Sequence, residues 1–328
     1  MKKNYSKYSI IIYTIIFLFL LLFSAFRVGI GTDYYTYEFF YSNSDFIIGD
    51  YGFKYLIMFL NYISTNPRFF FIISSIIILV PTFFFIRNNS SNIFISLILF
   101  ISIYYFTSLN IVRQFMAISL YCMMGPTLII DRKLLKHTIL VLILSTIHFT
   151  AIILLPIYFF IHKEFKSYIY YGLWLFSLLF IIEKKFFLYI WEKYLNINLF
   201  EVEYNGKLTK YIGMMDNLQI EDKTYFRITV FNLIYIILLV FFKRTQYKNE
   251  QLVLWFNFYF ISILLRNIFN NMMALQRLSL YFEFFIILLL PLFLSKKNSL
   301  VLNVLFIVFF ILYAYYRFVI KHEAGIYF

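Results

Sequence analysis

Long apolar runs separated by short basic turns recur along nearly the whole chain. Each run is about 15–20 residues long, which is enough to span or nearly span a bilayer. The runs lie at 8–26, 68–86, 92–107, 111–130, 135–161, 168–182, 225–242, 250–268, 278–294 and 299–317. Because lipid offers no hydrogen bonds to the backbone, such runs form helices. The pattern predicts an all-α, polytopic integral membrane protein with about 10–11 transmembrane helices.

The composition agrees with a membrane protein. Of the 328 residues, 62 % are hydrophobic and 14 % are charged, whereas a soluble domain carries roughly 25 % charged residues. A soluble enzyme and a disordered protein are therefore excluded, and long unbroken apolar runs also exclude the alternating strands of a β-barrel. Cys122 is the only cysteine, which excludes an internal disulfide and a thiolate metal centre. The sequence predicts neither a metal site nor a cofactor.

The charge pattern indicates how the chain crosses the membrane. The net charge is +13, and Lys and Arg collect in cytoplasmic loops; the other interpretation is an anionic ligand such as a lipid phosphate. Basic residues before the first run predict a retained first helix with its N-terminus in the cytoplasm. Two polar, tyrosine-containing stretches, 27–66 and 183–224, are then expected outside, and the first carries an amphipathic helix over Tyr51–Ile63. No repeat or linker divides the chain, so one transmembrane domain is expected over 1–328.

The run 135–161 is long for one span but short for two. Polar residues interrupt its middle around His148. We interpret it as two short helices that meet near His148, with both basic ends in the cytoplasm.

The first candidate for chemistry is the stretch Arg27–Tyr37, directly after the first helix. Arg27 can bind a phosphate or carboxylate through two parallel hydrogen bonds, and Asp33 can accept a proton from a hydroxyl. Tyr34 and Tyr37 follow them. The alternative is that Arg27 extends to the membrane interface and the tyrosines belong to the aromatic belt.

Three further patterns place polar side chains in apolar runs. Arg113 and Gln114 open the fourth run, and an arginine inside a membrane helix costs on the order of 3 kcal/mol. Arg113 should therefore face a cavity, a carboxylate or a phosphate, unless it is an interfacial anchor. His148 can act as a base or bind a phosphate, unless it only hydrogen-bonds a neighbouring helix. Arg277 and Tyr281 open the ninth run, after a group of polar residues.

Taken in order, these four patterns resemble those of the EpsG-like, Wzy-type family of bacterial polysaccharide polymerases. The resemblance covers nearly the whole chain. The matching residues are Arg27, Gly31, Asp33, Tyr34 and Tyr37; Arg113, Gln114 and Ala117; Ile147, His148 and Pro156; and Arg277, Leu278, Tyr281, Phe282 and Pro291. The resemblance implies a GT-C-like glycosyltransferase of the bacterial inner membrane. It would join undecaprenyl-diphosphate-linked oligosaccharide repeat units at the exterior, periplasmic face, with products such as O-antigen, capsule or exopolysaccharide.

The resemblance also suggests roles for the candidate residues. The acceptor hydroxyl needs a base, either Asp33 or His148, and Asp33 in its glycine-containing loop is favoured. Besides the substrate, expected partners are membrane lipid, a chain-length regulator and other polysaccharide-assembly proteins; no nucleic acid is expected. The residues expected to bind diphosphate or sugar are Arg27, Tyr34, Tyr37, Arg113, Gln114, Arg277 and Tyr281.

Two other functions remain open at this point. A flippase or transporter for lipid-linked oligosaccharide would also use an arginine-lined cavity, although the chain lacks the internal repeat of many transporters. A membrane O-acyltransferase would need a histidine placed for acyl transfer, and His148 is the candidate.

Overall fold

The computed structural model describes residues 7–182, 222–245, 248–270, 273–297 and 300–320. These residues form helices joined by short connections, and no strand occurs among them. Short 3₁₀ turns and two π-helical stretches, Phe100–Tyr105 and Tyr316–Ile320, complete the helical structure. The α-helices are α1 (Lys7–Phe26), α2 (Tyr34–Ser42), α3 (Tyr51–Ile63), α4 (Arg68–Asn89), α5 (Ile93–Leu99), α6 (Phe106–Asn110), α7 (Val112–Ile130), α8 (Leu134–Ile147), α9 (Leu154–Ile157), α10 (Ser167–Ile182), α11 (Asp222–Arg244), α12 (Glu250–Ile268), α13 (Met273–Gln276), α14 (Leu280–Glu283), α15 (Ile286–Lys297) and α16 (Leu300–Tyr315).

Among the described residues, seven helical stretches are long and apolar enough to cross a membrane. They are Lys7–Phe26, Arg68–Asn89, Ile93–Asn110, Phe226–Arg244, Glu250–Ile268, Arg277–Ser295 and Leu300–Ile320. The predicted all-α, multi-pass membrane protein is confirmed. Helices α7, α8 and α10 occupy three further predicted runs but are shorter or less apolar than these seven, so the count of 10–11 crossings stays a prediction.

The interruption predicted near His148 is present. Helix α8 ends at Ile147, and His148 has an extended backbone with φ −150° and ψ 110°. A 3₁₀ turn, Phe149–Ile153, and the single turn of α9 follow. The second half of the run is therefore a pair of short turns rather than a second regular helix. The helix predicted over Tyr51–Ile63 is confirmed with those bounds, whereas most of the other predicted exterior stretch, 183–221, lies outside the described residues.

The chain divides into two compact units, residues 1–159 with 287–328 and residues 160–286. In the first unit, α4 packs between α1 and α7, α7 packs on α8, and α3 packs on α8. Small polar side chains help the helices approach closely; for example, the Thr82 hydroxyl of α4 donates to Ser119 of α7 at 3.1 Å. The single-domain organisation expected from the sequence stays a prediction.

In the second unit, α12 packs against α10, α11 and α14. Its Asn257 is fully buried and donates to the carbonyl oxygens of Ile161 and Lys163, at 2.7 and 2.8 Å. The same side chain accepts from the Tyr170 hydroxyl of α10 at 2.7 Å. A buried amide that is satisfied in this way fixes the connection before α10 against α12.

Candidate functional site

A carboxylate that the sequence analysis did not single out, Asp50, lies at the centre of a polar cluster in the first unit. Arg113 Nη1 donates to Asp50 Oδ2 at 2.6 Å, and the Phe149 amide donates to Oδ1 at 2.9 Å. Nδ1 of His148 lies 3.5 Å from Oδ2. We call Asp50, Arg113, His148 and the Phe149 amide the Asp50 cluster. The structure thus brings two of the residues predicted from the sequence, Arg113 and His148, onto one carboxylate.

The Asp50 carboxylate is ionised at neutral pH. Burial raises its pKa, but the His148 ring, the Arg113 charge and the Phe149 amide outweigh burial and hold the pKa below the ordinary value of 3.8. Because the folded-state pKa is lowered, these contacts stabilise the fold above the ordinary pKa and are lost as the pH falls through the lowered one. The side chain of Asp50 is 8 % exposed and that of His148 is 24 % exposed, so the imidazole is the more accessible of the two.

Local backbone geometry holds the Asp50 cluster together. Asp50 immediately precedes α3, and Gly52 in the first turn of α3 packs directly against the end of α8. A Cβ at Gly52 would overlap the Thr146 side chain and would lie 3.1 Å from the Thr146 carbonyl carbon. Glycine therefore allows α3 to approach α8 closely enough for Asp50 to accept the Phe149 amide. That amide belongs to the first residue of the 3₁₀ turn Phe149–Ile153.

The loop between α1 and α2 reaches the same region. Gly31 has φ +108°, which disfavours any other residue, and a Cβ there would lie 2.8 Å from Asn110 Oδ1. The same Oδ1 accepts the Thr32 amide at 2.8 Å. Asn110 is three positions before Arg113 in the chain, so this contact brings the first predicted motif next to the second.

Arg27 is a buried cation without a counter-anion among the described residues. It is 5 % exposed, its guanidinium lies 5.0 Å from the centre of the Phe71 ring, and its buried Nε has no hydrogen-bond partner. Burial lowers its pKa to about 10, while Tyr37, Tyr105 and Tyr34 act in the opposite direction. The side chain is therefore still protonated at neutral pH.

Tyr34 and Tyr37 both turn inward from α2. Tyr34 stacks on Phe71 with ring centres 4.6 Å apart, and its hydroxyl donates to Glu38 at 2.8 Å. Burial and the Glu38 carboxylate raise the pKa of Tyr34 to about 12. Burial also raises the pKa of Tyr37, against the opposing effect of Arg113. Both tyrosines therefore stay protonated as neutral neighbours of the two arginines.

Asp33 and Gln114 are the two remaining candidate residues of the first unit. Asp33 lies just before α2 and accepts from the Thr32 hydroxyl at 3.4 Å, and it makes no ion pair within the described part of the chain. Gln114 is buried next to Arg113 in α7. The structure therefore gives His148, but not Asp33, a charged partner.

A second charged cluster lies in the second unit. Glu283 and Arg266 form an ion pair, and Arg227 Nη2 lies 3.5 Å from Glu283 Oε1. The Glu283 side chain is fully buried and Arg266 is nearly so. Both guanidiniums lie near the Phe231 ring, at 5.7 Å for Arg227 and 4.8 Å for Arg266. We call Arg227, Arg266 and Glu283 the Glu283 cluster.

The fourth predicted motif is also part of the second unit, but its two candidate residues differ in exposure. Arg277 is exposed in the 3₁₀ turn Arg277–Ser279, whereas Tyr281 in α14 is fully buried. Glu283, two positions later, was missed by the sequence analysis. The signal was present, because an acidic residue inside an apolar run is costly to bury and needs a partner. Asp50 had no comparable signal, since an aspartate before a helix is ordinary.

Comparison with known proteins yields one match. The family model described as the EpsG family matches residues 10–328. No curated protein and no solved structure matches the chain. The matched range includes both charged clusters and every site residue predicted from the sequence. Among the described residues, no three His, Cys, Asp or Glu side chains come together as metal ligands would.

Proposed function

The chain belongs to the EpsG family of polysaccharide polymerases, and we propose that it joins undecaprenyl-diphosphate-linked repeat units at the outer face of the bacterial inner membrane. In this reaction an acceptor hydroxyl of one unit attacks the anomeric carbon of another. The new glycosidic bond forms as the bond from the anomeric carbon to the phosphate oxygen breaks. The enzyme must remove the hydroxyl proton and stabilise the departing lipid diphosphate. The observation that carries the proposal is the Asp50 cluster.

His148 is the proposed base. The Asp50 carboxylate, 3.5 Å from Nδ1, stabilises by its charge the imidazolium that forms when the ring takes a proton. Asp50 is thus a positioning residue, held in turn by Arg113 and the Phe149 amide. Asp33, which the sequence analysis favoured, remains the alternative base.

Arg27 is the proposed principal contact for the diphosphate. It is the buried cation without a counter-anion described above, so a phosphate would supply the missing charge. Arg113 already binds Asp50, and its side chain is 29 % exposed, so the same ligand can approach it. Arg277 and Tyr281 belong to the second unit, and their predicted roles in substrate binding, like that of Gln114, stay predictions.

The basic turn between α7 and α8 supports action at the outer face. Arg132, Lys133 and Lys136 lie in or next to this turn, and such turns are retained in the cytoplasm. Arg113 begins α7 and His148 follows the end of α8. The Asp50 cluster therefore lies at the opposite ends of these two helices, which the same rule assigns to the exterior.

The surface glycan of a strain that lacks this protein tests the proposed function. We expect its ladder on a gel to collapse to glycan with a single repeat unit, and the complemented strain to recover the ladder. Loss of even the single unit, with lipid-linked units accumulating inside, would instead identify a flippase. An unchanged ladder with altered acetylation would identify an O-acyltransferase.

Replacement of Arg27 by glutamine tests the diphosphate contact. We expect Arg27→Gln to lower polymerisation by about 100-fold, as loss of one group that stabilises a developing anion does. Thermal stability of the purified protein should stay the same or rise, because a buried cation without a counter-anion is itself unfavourable. The measurements are the polymerisation rate and the melting temperature in detergent.

The matched control for that variant is Arg87→Gln in the last turn of α4. It makes the same chemical change away from the Asp50 cluster and should leave the rate near that of the wild type. A variant Arg27→Gln that melts earlier but polymerises normally would assign Arg27 a structural role instead.

A further inference from the structure

Helix α3 carries apolar side chains on two faces, and only one of them packs on the protein. The inner face buries Phe53, Ile57 and Leu60. The outer face recurs at positions 51, 55, 58, 59, 62 and 63, which places it along one side of the helix. Its side chains are between 46 % and 90 % exposed. The residues of this outer face are Tyr51, Tyr55, Met58, Phe59, Tyr62 and Ile63.

An outer face of this composition is unusual for a helix that meets water. Surface helices of soluble domains carry charged or polar residues on the side that faces water. The outer face of α3 carries no charged residue. Exposed apolar side chains continue on α2, for example Tyr35 and Phe39. Apolar patches larger than a few hundred Å² mark a surface that is covered by something other than water.

The surrounding chain indicates that membrane lipid covers this face. Helix α1, which precedes the segment, and α4, which follows it, are both apolar and long enough to span a membrane. Four residues, 64–67, separate α3 from α4, so α3 cannot move far from the bilayer surface. Tyrosine, which supplies three of the six outer-face residues, is enriched at membrane interfaces because its ring is apolar and its hydroxyl polar.

The length of α3 decides how it lies in the lipid. With 13 residues it is about 20 Å long, which is shorter than the hydrocarbon core of about 30 Å. Lys54 lies on the polar flank of α3 and donates to Asp45 at 2.8 Å. This contact holds its charged group away from the outer face. We infer that α3 is an interfacial helix, with its outer face immersed at the boundary between lipid headgroups and acyl chains.

Immersion of α3 has a consequence for the Asp50 cluster. Asp50 is the residue directly before α3, so the depth of the helix sets the depth of the carboxylate, of Arg113 and of His148. All three would then lie at the level of the lipid phosphates, where the diphosphate of a lipid-linked substrate also lies. This consequence rests on the proposed function, whereas the immersion of the helix does not.

Site-directed spin labelling measures the depth directly. Cys122 is the only cysteine and is buried, so a newly introduced cysteine can be labelled selectively, with the wild type as background. The variants are Tyr55→Cys, Met58→Cys and Tyr62→Cys on the outer face. The matched control is Asp45→Cys, whose native side chain is 91 % exposed. The protein is reconstituted in vesicles of phosphatidylethanolamine and phosphatidylglycerol, and collisions with oxygen and with a water-soluble nickel chelate are compared.

We expect the three outer-face labels to collide with oxygen and to lose access to the chelate relative to the Asp45 label. Equal access to the chelate at all four positions would place the face in water and overturn the inference. Protection from both reagents would also overturn it, since a protein, either a second copy or another partner, would then cover the face. If one variant fails to accumulate, Phe59→Cys on the same face replaces it. None of these outcomes depends on enzymatic activity, so failure of the proposed function would not affect them.

Discussion

Replacing Asp50 with asparagine is expected to abolish polymer formation, with a fall in turnover of about 10⁴-fold, the loss seen when the carboxylate behind a catalytic histidine is removed elsewhere. Asparagine keeps the size of the side chain but not its charge. The charge holds Arg113 at 2.6 Å and faces His148 at 3.5 Å. Without it, the ring loses the anion that stabilises its protonated form. The rate is measured with purified enzyme and lipid-linked repeat units.

The activity that remains in variants of Asp50 distinguishes a positioning role of this residue from a merely structural one. Asp50→Glu restores the charge at a shifted position and should recover part of the rate. A variant that is simply misfolded would not recover it.

Two other aspartates provide the comparison for Asp50→Asn. Asp45→Asn makes the same change in the same segment, at an exposed side chain whose partner is Lys54, and should leave the rate unchanged. Asp33→Asn decides between the two proposed bases, because its inactivity together with an active His148→Gln would make Asp33 the base. Wild-type turnover in Asp50→Asn would refute the role assigned to the Asp50 cluster.

Replacing Glu283 with glutamine is expected to reduce the free energy of unfolding by about 3–5 kcal/mol, the usual cost of removing one partner from a buried ion pair. Glu283 is fully buried and lies against two arginines, of which Arg266 is also buried. The variant removes the negative charge that faces both guanidiniums. Denaturant or thermal unfolding in detergent micelles measures the loss.

A second substitution separates the uncompensated charge from a loss of packing. In the double variant Glu283→Gln with Arg266→Met, most of the stability should return, because the buried cation has been removed as well. Glu164→Gln is the matched control in the same unit. That carboxylate is 38 % exposed and pairs with Lys243 and Lys248, so its loss should cost no more than about 1 kcal/mol. Equal losses in Glu283→Gln and Glu164→Gln would contradict the prediction.

The residues of the Asp50 cluster differ in how well the sequence alone predicts them. Arg113 and His148 are polar groups in apolar runs, and the cost of burying such groups is a local property that sequence alone reveals. Asp50 lies in a polar stretch where an aspartate costs nothing. Its partners Arg113 and Phe149 are 63 and 99 positions away in the chain. Only the approach of α3 to α8, which Gly52 permits, brings them together.

Glu283 and Arg277 show two further limits of prediction from the sequence. The position of Glu283 in an apolar run does indicate a buried acid that needs a partner. Arg277 and Tyr281 belong to one sequence pattern and were both predicted to bind substrate, yet one is exposed and the other is buried. A 3₁₀ turn at Arg277–Ser279 changes the angle between them, and the spacing of an ideal helix no longer applies.

The sequence by itself determined that this protein is a helical, multi-pass membrane protein, that a break falls at His148, and that the chain resembles the EpsG family. Each of these depends on hydropathy or on residue order, which are read along the chain. The tertiary structure alone decided which carboxylate faces His148 and which face of α3 is left uncovered. It also decided that Arg27 is buried with no anion beside it among the described residues. Those properties depend on the close approach of distant helices, because burial and the pairing of charges are set by neighbours in space.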